Sequence, residues 1–258
     1  MAIRQKLACN VSPLLLRLLL AIVFLWAGLG KVVEKDLPVT ADNARQLVEW
    51  GAVTEDRVRH LLPAGAMAEG PRVVLVQDGD EAPKDAPKAD ADATTTDGVK
   101  IQRLYGIALA LKGAAEPGTF ADGHDRAGEA KMPLAPKFAG SNKNPVYLAW
   151  AVALTEIFAG GFMLLGFLTR ISAFGLVCVM LGAMWLTEIG PAIQSGAAVL
   201  GFLPAHPRFG GEWQHLLFQL SMLIAALAVM FSGAGAASLD RLLFGGPKTG
   251  SAPEPKGE

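Results

Sequence analysis

Three charged residues stand in stretches that are otherwise apolar, and they are the groups best placed to do chemistry. Arg17 and Lys31 lie near the two ends of LLLRLLLAIVFLWAGLGKVV, residues 14–33, and Glu156 sits inside VYLAWAVALTEIFAGGFMLL, residues 146–165. A charge within an apolar crossing is expensive, so it faces other helices, finds a partner and counts as a functional candidate by default. With the first run directed outward and the second inward, a rise of about 1.5 Å per residue puts Glu156 near the midplane, Arg17 roughly 8 Å inward and Lys31 roughly 13 Å outward. Arginine's long arm covers much of that first gap. The expected arrangement is therefore a buried Arg17–Glu156 ion pair between adjacent helices, with Lys31 extended to the outer interface. Such a pair either clamps the helix register or lets Glu156 handle a proton or a polar ligand group. In both cases, removing one partner strands the other at a cost of several kcal/mol.

A second set of polar residues gathers near the ends of two later apolar runs. Glu188 closes one, and Glu212, Trp213 and His215 open the next, with His206 and Arg208 between them. These are either wet helix ends or a patch able to hold a quinone head group, with His215 as hydrogen-bond partner or proton acceptor. A metal site is not expected, because His206 and His215 are nine positions apart across a proline and two glycines, which is no recognisable ligand spacing. Cys9 and Cys178 form no C-x-x-C motif and support neither a disulfide framework nor a thiol redox centre. There is no nucleophile constellation and no glycine-rich nucleotide loop, so no catalytic residue is assigned and enzymatic activity is left open.

The elements that must position these residues are membrane helices. Of 258 residues, 52% are hydrophobic and 18% charged, and the mean hydropathy is +0.35. A net charge of −1 supplies no cation excess for nucleic acid. Four segments are long enough to cross a bilayer, about Pro13 to Val33, Val146 to Leu168, Ile171 to Ile189 and Gln214 to Ser232. The first resembles a secretory signal in its flanking Arg4 and Lys6, but its length, its internal Arg17 and the three further spans favour a retained helix. The expected fold is an all-α membrane protein, a four-helix transmembrane bundle with a partly ordered extracytoplasmic insert between helices 1 and 2. Arg4, Lys6, Arg170, Arg241 and Lys248 share one side of that bundle, which places both termini in the cytoplasm. Trp26, Tyr147, Trp150, Trp185 and Trp213 then fall in the outer half, as an interfacial belt or as the lining of a cofactor pocket.

Four regions follow: 1–33, a cytoplasmic stub with helix 1; the insert 34–145; 146–244, with helices 2 to 4 and a terminal interfacial segment; and a disordered cytoplasmic tail 245–258. Within the insert, Thr40 is positioned to cap a helix running to Trp50 and stopped by Gly51, and Thr54 starts another that ends at Pro63. RVVLVQ, residues 72–77, reads as a strand leading to a turn, and residues 80–98, rich in acid, lysine, alanine and proline, as a disordered linker. Ile101, Leu104, Tyr105, Ala108 and Leu109 recur at helical spacing in a segment too short to span, so that helix packs within the insert or lies on the membrane surface. Gly160, Gly161, Gly166, Gly175 and Gly182 are read as points of close helix packing.

LLLRLLLAIVFLWAGLGKV, TEIFAGGFMLLGFLTRISA and GAGAASLDRLL together resemble the DoxX/DoxD-like membrane proteins. Carried over position by position, the marked residues are Arg17, Lys31, Glu156, Arg170 and Asp240. The resemblance implies a four-helix integral protein of the bacterial inner membrane. It also implies a part in membrane-linked redox chemistry, since DoxD-type members are subunits of thiosulfate:quinone oxidoreductase and others accompany oxidative-stress partners. The expected role is a subunit of a membrane-associated oxidoreductase, with quinone as the implied cofactor, a redox protein as partner besides the lipid bilayer, and homo-oligomerisation open. A small transporter or a non-catalytic membrane scaffold is the alternative. The roughly 110-residue insert departs from the compact family pattern.

Overall fold

The computed structural model describes residues 2–58, 100–120, 126–196, 199–204, 212–233, 235 and 238–244. The expected strand at Arg72–Gln77, the linker 80–98, the Pro63 helix end and the tail after Phe244 lie outside the described residues.

Apolar runs of about 20 residues give the helices expected of them, because a backbone in lipid must satisfy its own hydrogen bonds. Helix α1 covers Ala2–Val33. The insert contributes strand β1 (Lys35–Pro38), α2 (Ala41–Glu49), α3 (Glu55–Val58), β2 (Lys100–Gln102), α4 (Leu104–Ala115) and α5 (Lys137–Gly140). Next come α6 (Asn144–Leu165) and α7 (Thr169–Met184), which continues through a π-helical turn at Trp185–Ile189 into α8 (Gly190–Ser195). The chain then forms α9 (Glu212–Ser232) and α10 (Leu239–Phe244). Among the described residues, four stretches are long and apolar enough to cross a membrane: Val11–Val33, Asn144–Leu165, Thr169–Ser195 and Trp213–Ser232.

Helix ends differ from the sequence expectation where backbone chemistry overrides hydropathy. The second span stops at Leu165, short of Leu168, because Gly166 and Leu168 both take left-handed conformations (φ 67° and 46°) that turn the chain into α7. The third span runs past Ile189 although Gly190-Pro191 reads as a stop. The wider π turn, with Gly190 N–H donating to Trp185 O, absorbs a position where proline offers no donor.

Helices α1 and α6 approach closely at two glycines. A Cβ built on Gly28 would lie 3.0 Å from the Ile157 backbone nitrogen, and one on Gly160 would lie 2.8 Å from that of Leu25. These contacts fix the register of the pair. Gly166 and Gly175 also meet neighbours, whereas Gly161 and Gly182 have nothing within 4 Å, so close packing does not explain the last two. Around this seam Leu20, Phe24, Met163, Leu176 and Val229 build the bundle core. Between helices in lipid, van der Waals fit is the main attraction.

The described part of the insert is built onto the bundle. Thr40 Oγ1 accepts from Asn43 N–H (3.4 Å) and caps α2. β1 and β2 form an antiparallel ribbon at positions where the sequence placed no strand. Val39, Leu47, Trp50, Ile101, Leu104, Ala108 and Leu109 share one core with Ala149 and Ala153 of α6. Of the two expectations for the 101–109 periodicity, packing is what the structure displays. Residues 132–135 strap this layer to α7: Leu134 N–H donates to Ala114 O (2.7 Å), and Trp185 Nε1 donates to Leu134 O (2.7 Å).

Candidate functional site

In an α-helix each Cα–Cβ bond leans toward the N-terminus. α1 and α6 run antiparallel, so Lys31 leans back into the bundle while Glu156 leans toward the insert end. The two side chains converge. Lys31 Nζ donates to both Oε1 and Oε2 of Glu156, whose side chain is 2% exposed against 25% for Lys31.

This overturns the expected Arg17–Glu156 pair and the expected extension of Lys31 to the interface. The difference is one of register. Glu156 Cβ lies 3.1 Å from a Cβ built on Gly28, and Gly28 is eleven residues, or about 16 Å, along α1 from Arg17. Arg17 leans in the same direction as Lys31, which from its position is away from Glu156 and toward the far end of the bundle. It is 2% exposed, its Nη1 lies 2.6 Å from a Cβ built on Gly166, and Ser238 packs against the same glycine. Asp240 is the acid whose charge acts on it.

Asp240 is the centre of this second cluster. Its Oδ1 accepts from Leu168 N–H (2.7 Å) and its Oδ2 from Thr169 N–H (2.9 Å), while its own N–H donates to Gly166 O (3.0 Å). A carboxylate on the first N–H groups of α7 satisfies donors that no helix turn can and complements the helix dipole. The guanidinium of Arg170 lies beside Gly233 at the end of α9, where carbonyls leave a partial negative charge. The five motif residues thus separate into a pair in the helix interior, Lys31 with Glu156, and a rim cluster of Arg17 and Asp240 with Arg170 nearby.

Glu188 lies in the π turn and is 8% exposed. Beside it, Thr187 Oγ1 accepts from Gln219 Nε2 of α9 (3.2 Å) and donates to Ala183 O (3.0 Å). His215 is exposed one turn before Gln219, and Trp213 Nε1 donates to Pro204 O (3.2 Å). The Glu212 side chain lies outside the described residues. The expected outer set is therefore a buried acid, a half-buried indole and an exposed imidazole at one end of α7 and α9. Sequence reasoning missed Gln219 and Thr187; a lone amide in an apolar helix was the available signal. Among the described residues, no three His, Cys, Asp or Glu side chains are grouped to hold a metal ion.

Where the insert joins α1, Arg103 donates to Asp36 Oδ1 through Nε (2.8 Å) and to Oδ2 through Nη2, and it also pairs with Glu34 (3.3 Å). The hydrogen bond to Arg103 holds the Asp36 carboxyl below its ordinary pKa.

A motif whose members meet only across the fold calls for comparison with known proteins. Residues 106–189 match the DoxX family model. The DoxX match begins in α4 and ends with the π turn, so part of the insert falls inside the family region and is not foreign to it. The chain is also 40% identical, over 90 residues, to an uncharacterized membrane protein of Mycobacterium tuberculosis (strain ATCC 25618 / H37Rv). That alignment covers 35% of this chain and 52% of the relative, so the chain spans about half the length of the curated protein it matches. No solved structure matches. Residues 106–189 are thus DoxX-like, in a membrane protein that has, among the described residues, four stretches apolar and long enough to cross a bilayer.

Proposed function

We propose that this DoxX-like chain is the membrane subunit of a bacterial inner-membrane oxidoreductase complex, contributing a quinone-contacting surface and a dock for a redox partner. The observation that supports this reading most is the π-helical turn burying Glu188 beside the Thr187–Gln219 hydrogen bond. A π turn is a costly widening of a helix and recurs at functional sites. Glu188, Gln219 and His215 offer donors and acceptors at one membrane end, suited to the two carbonyls of a quinone ring. In this reading both termini are cytoplasmic and the insert 34–145 is extracytoplasmic, where it meets the partner protein.

The scaffold alternative draws on a different observation, the rim cluster in which Asp240 holds the α6–α7 turn with both oxygens. The test is gentle solubilisation of native membranes, followed by identification of copurifying proteins and extraction of bound quinone. A redox protein and quinone in wild type, with quinone lost in Glu188→Gln and Gln219→Leu, is the expected result. Quinone-free wild type with no redox protein refutes the subunit reading and leaves the scaffold.

A further inference from the structure

We propose that Glu156 is a proton-exchange site open to one side of the membrane only, the side carrying the insert, with Lys31 as its movable counter-ion. This holds whether or not the chain serves a redox complex.

The route from Glu156 toward the Arg17 rim is filled. Between the two levels α1 presents Leu20, Ala21 and Phe24, α6 presents Ala159 and Met163, and all five are buried. Gly160 brings the Leu25 backbone directly against α6. Ten residues of α6, or about 15 Å of packed helix, separate the carboxylate from Gly166. On α7 the polar side chains toward that rim, Ser172 and Thr169, are themselves buried.

In the other direction the way is carried by one side chain. Both oxygens of Glu156 accept from Lys31 Nζ, and that lysine is a quarter exposed. A second acid stands within its reach. Glu34 is one turn on, its N–H donating to Gly30 O (3.0 Å) and its carboxyl folded back to 3.7 Å from a Cβ built on Gly30. Residues three apart on a helix are surface neighbours. Glu34 is 46% exposed and pairs with Arg103 just beyond the end of α1. The lysine stem can thus present its ammonium to a buried acid or to an exposed one.

Other charged or titratable groups on the packed elements do not reach Glu156. On α4, Lys112 pairs with Glu116 (3.5 Å) and Tyr105 packs in the insert core. On α7, Arg170 is at the Gly233 rim, Cys178 is exposed and Glu188 is in the π turn. On the ribbon, Asp36 is held by Arg103.

The exchange balances in charge and atoms. Lys31 withdraws as the ammonium toward Glu34, and a proton from the insert-side solution forms an O–H bond on Glu156, which becomes neutral. When Lys31 returns, that O–H bond breaks and the proton leaves to the same side.

The experiment uses the full chain in sealed membrane vesicles of both orientations, with Cys9 and Cys178 replaced by serine. Lys31→Cys is treated with a charged, membrane-impermeant maleimide, and Glu116→Cys at the exposed end of α4 reports the insert side. Labelling of both variants from the same side, and loss of both from the other, is expected. Labelling of Lys31→Cys from the opposite side, from both, or not at all overturns the proposal. Should Lys31→Cys fail to insert, wild type is followed by infrared difference spectroscopy with pH stepped on one side at a time. The carboxyl band absent from Glu156→Gln should follow the insert-side step alone. A band that follows the other side, or neither, overturns the proposal.

Discussion

Lys31→Met is the perturbation that separates the two arrangements of the buried charges. Methionine keeps most of the stem volume and removes the ammonium, so the Glu156 carboxylate loses both of its hydrogen bonds while remaining 2% exposed. Leaving one member of a buried pair uncompensated costs about 3–5 kcal/mol. The partial exposure of Lys31 argues for the lower end of that range. Glu156→Gln in the same background removes the stranded charge, so the double variant should recover much of the loss, giving a coupling of about 1–3 kcal/mol. Arg17→Met should be additive with Glu156→Gln to within about 0.5 kcal/mol, because the two positions are separated by roughly 16 Å of packed helix. The assay is reversible unfolding in mixed micelles of the four chains in each cycle. A large coupling in the Arg17 cycle with none in the Lys31 cycle refutes the assignment of partners.

Other expectations follow from the same geometry. Asp240→Ala should destabilise by about 1–2 kcal/mol for the lost cap alone, and more because Arg17 loses its acid, with faster proteolysis after α9 as the readout. Gly160→Leu should wedge α1 from α6 and cost about 1–3 kcal/mol or more, whereas Gly161→Ala, with open space around it, should be near neutral in the same unfolding assay. The Asp36 carboxyl is lowered in the folded chain, so its bond to Arg103 contributes fully above the ordinary carboxylate value and is lost as pH falls below it. Protection against hydrogen exchange at Ile101 and Leu104, corrected for the intrinsic pH dependence of exchange, should therefore fall only once pH drops below the ordinary carboxylate value, and Arg103→Ala should abolish that dependence.

The spans and the α4 helix were legible in the sequence because each is a run of apolar residues with a helix's own period. Ile101, Leu104, Ala108 and Leu109 bury one face of a segment too short to cross. The partner of Glu156 was not legible from hydropathy, since centring each run in the bilayer assumes equal depth, while Gly28 and Gly160 set the actual register. The lean of side chains toward their own N-termini is a general property of helices, and in an antiparallel pair it favours Lys31 over Arg17 as that partner. Asp240 caps a helix 72 positions away, which no local signal reveals. The π turn was hidden because Gly190-Pro191 reads as an end.

The Lys31–Glu156 pair has a consequence for synthesis at the ribosome. Its members are 125 positions apart, and at about 5–20 residues per second the cation waits roughly 6–25 s for the acid to be made. During that interval Lys31, near the end of its helix on a long stem, can lodge among lipid head groups. Glu156 has no such refuge at the middle of its helix, yet it is the later of the two to be translated. The order in which the chain is written lets the member that can wait come first.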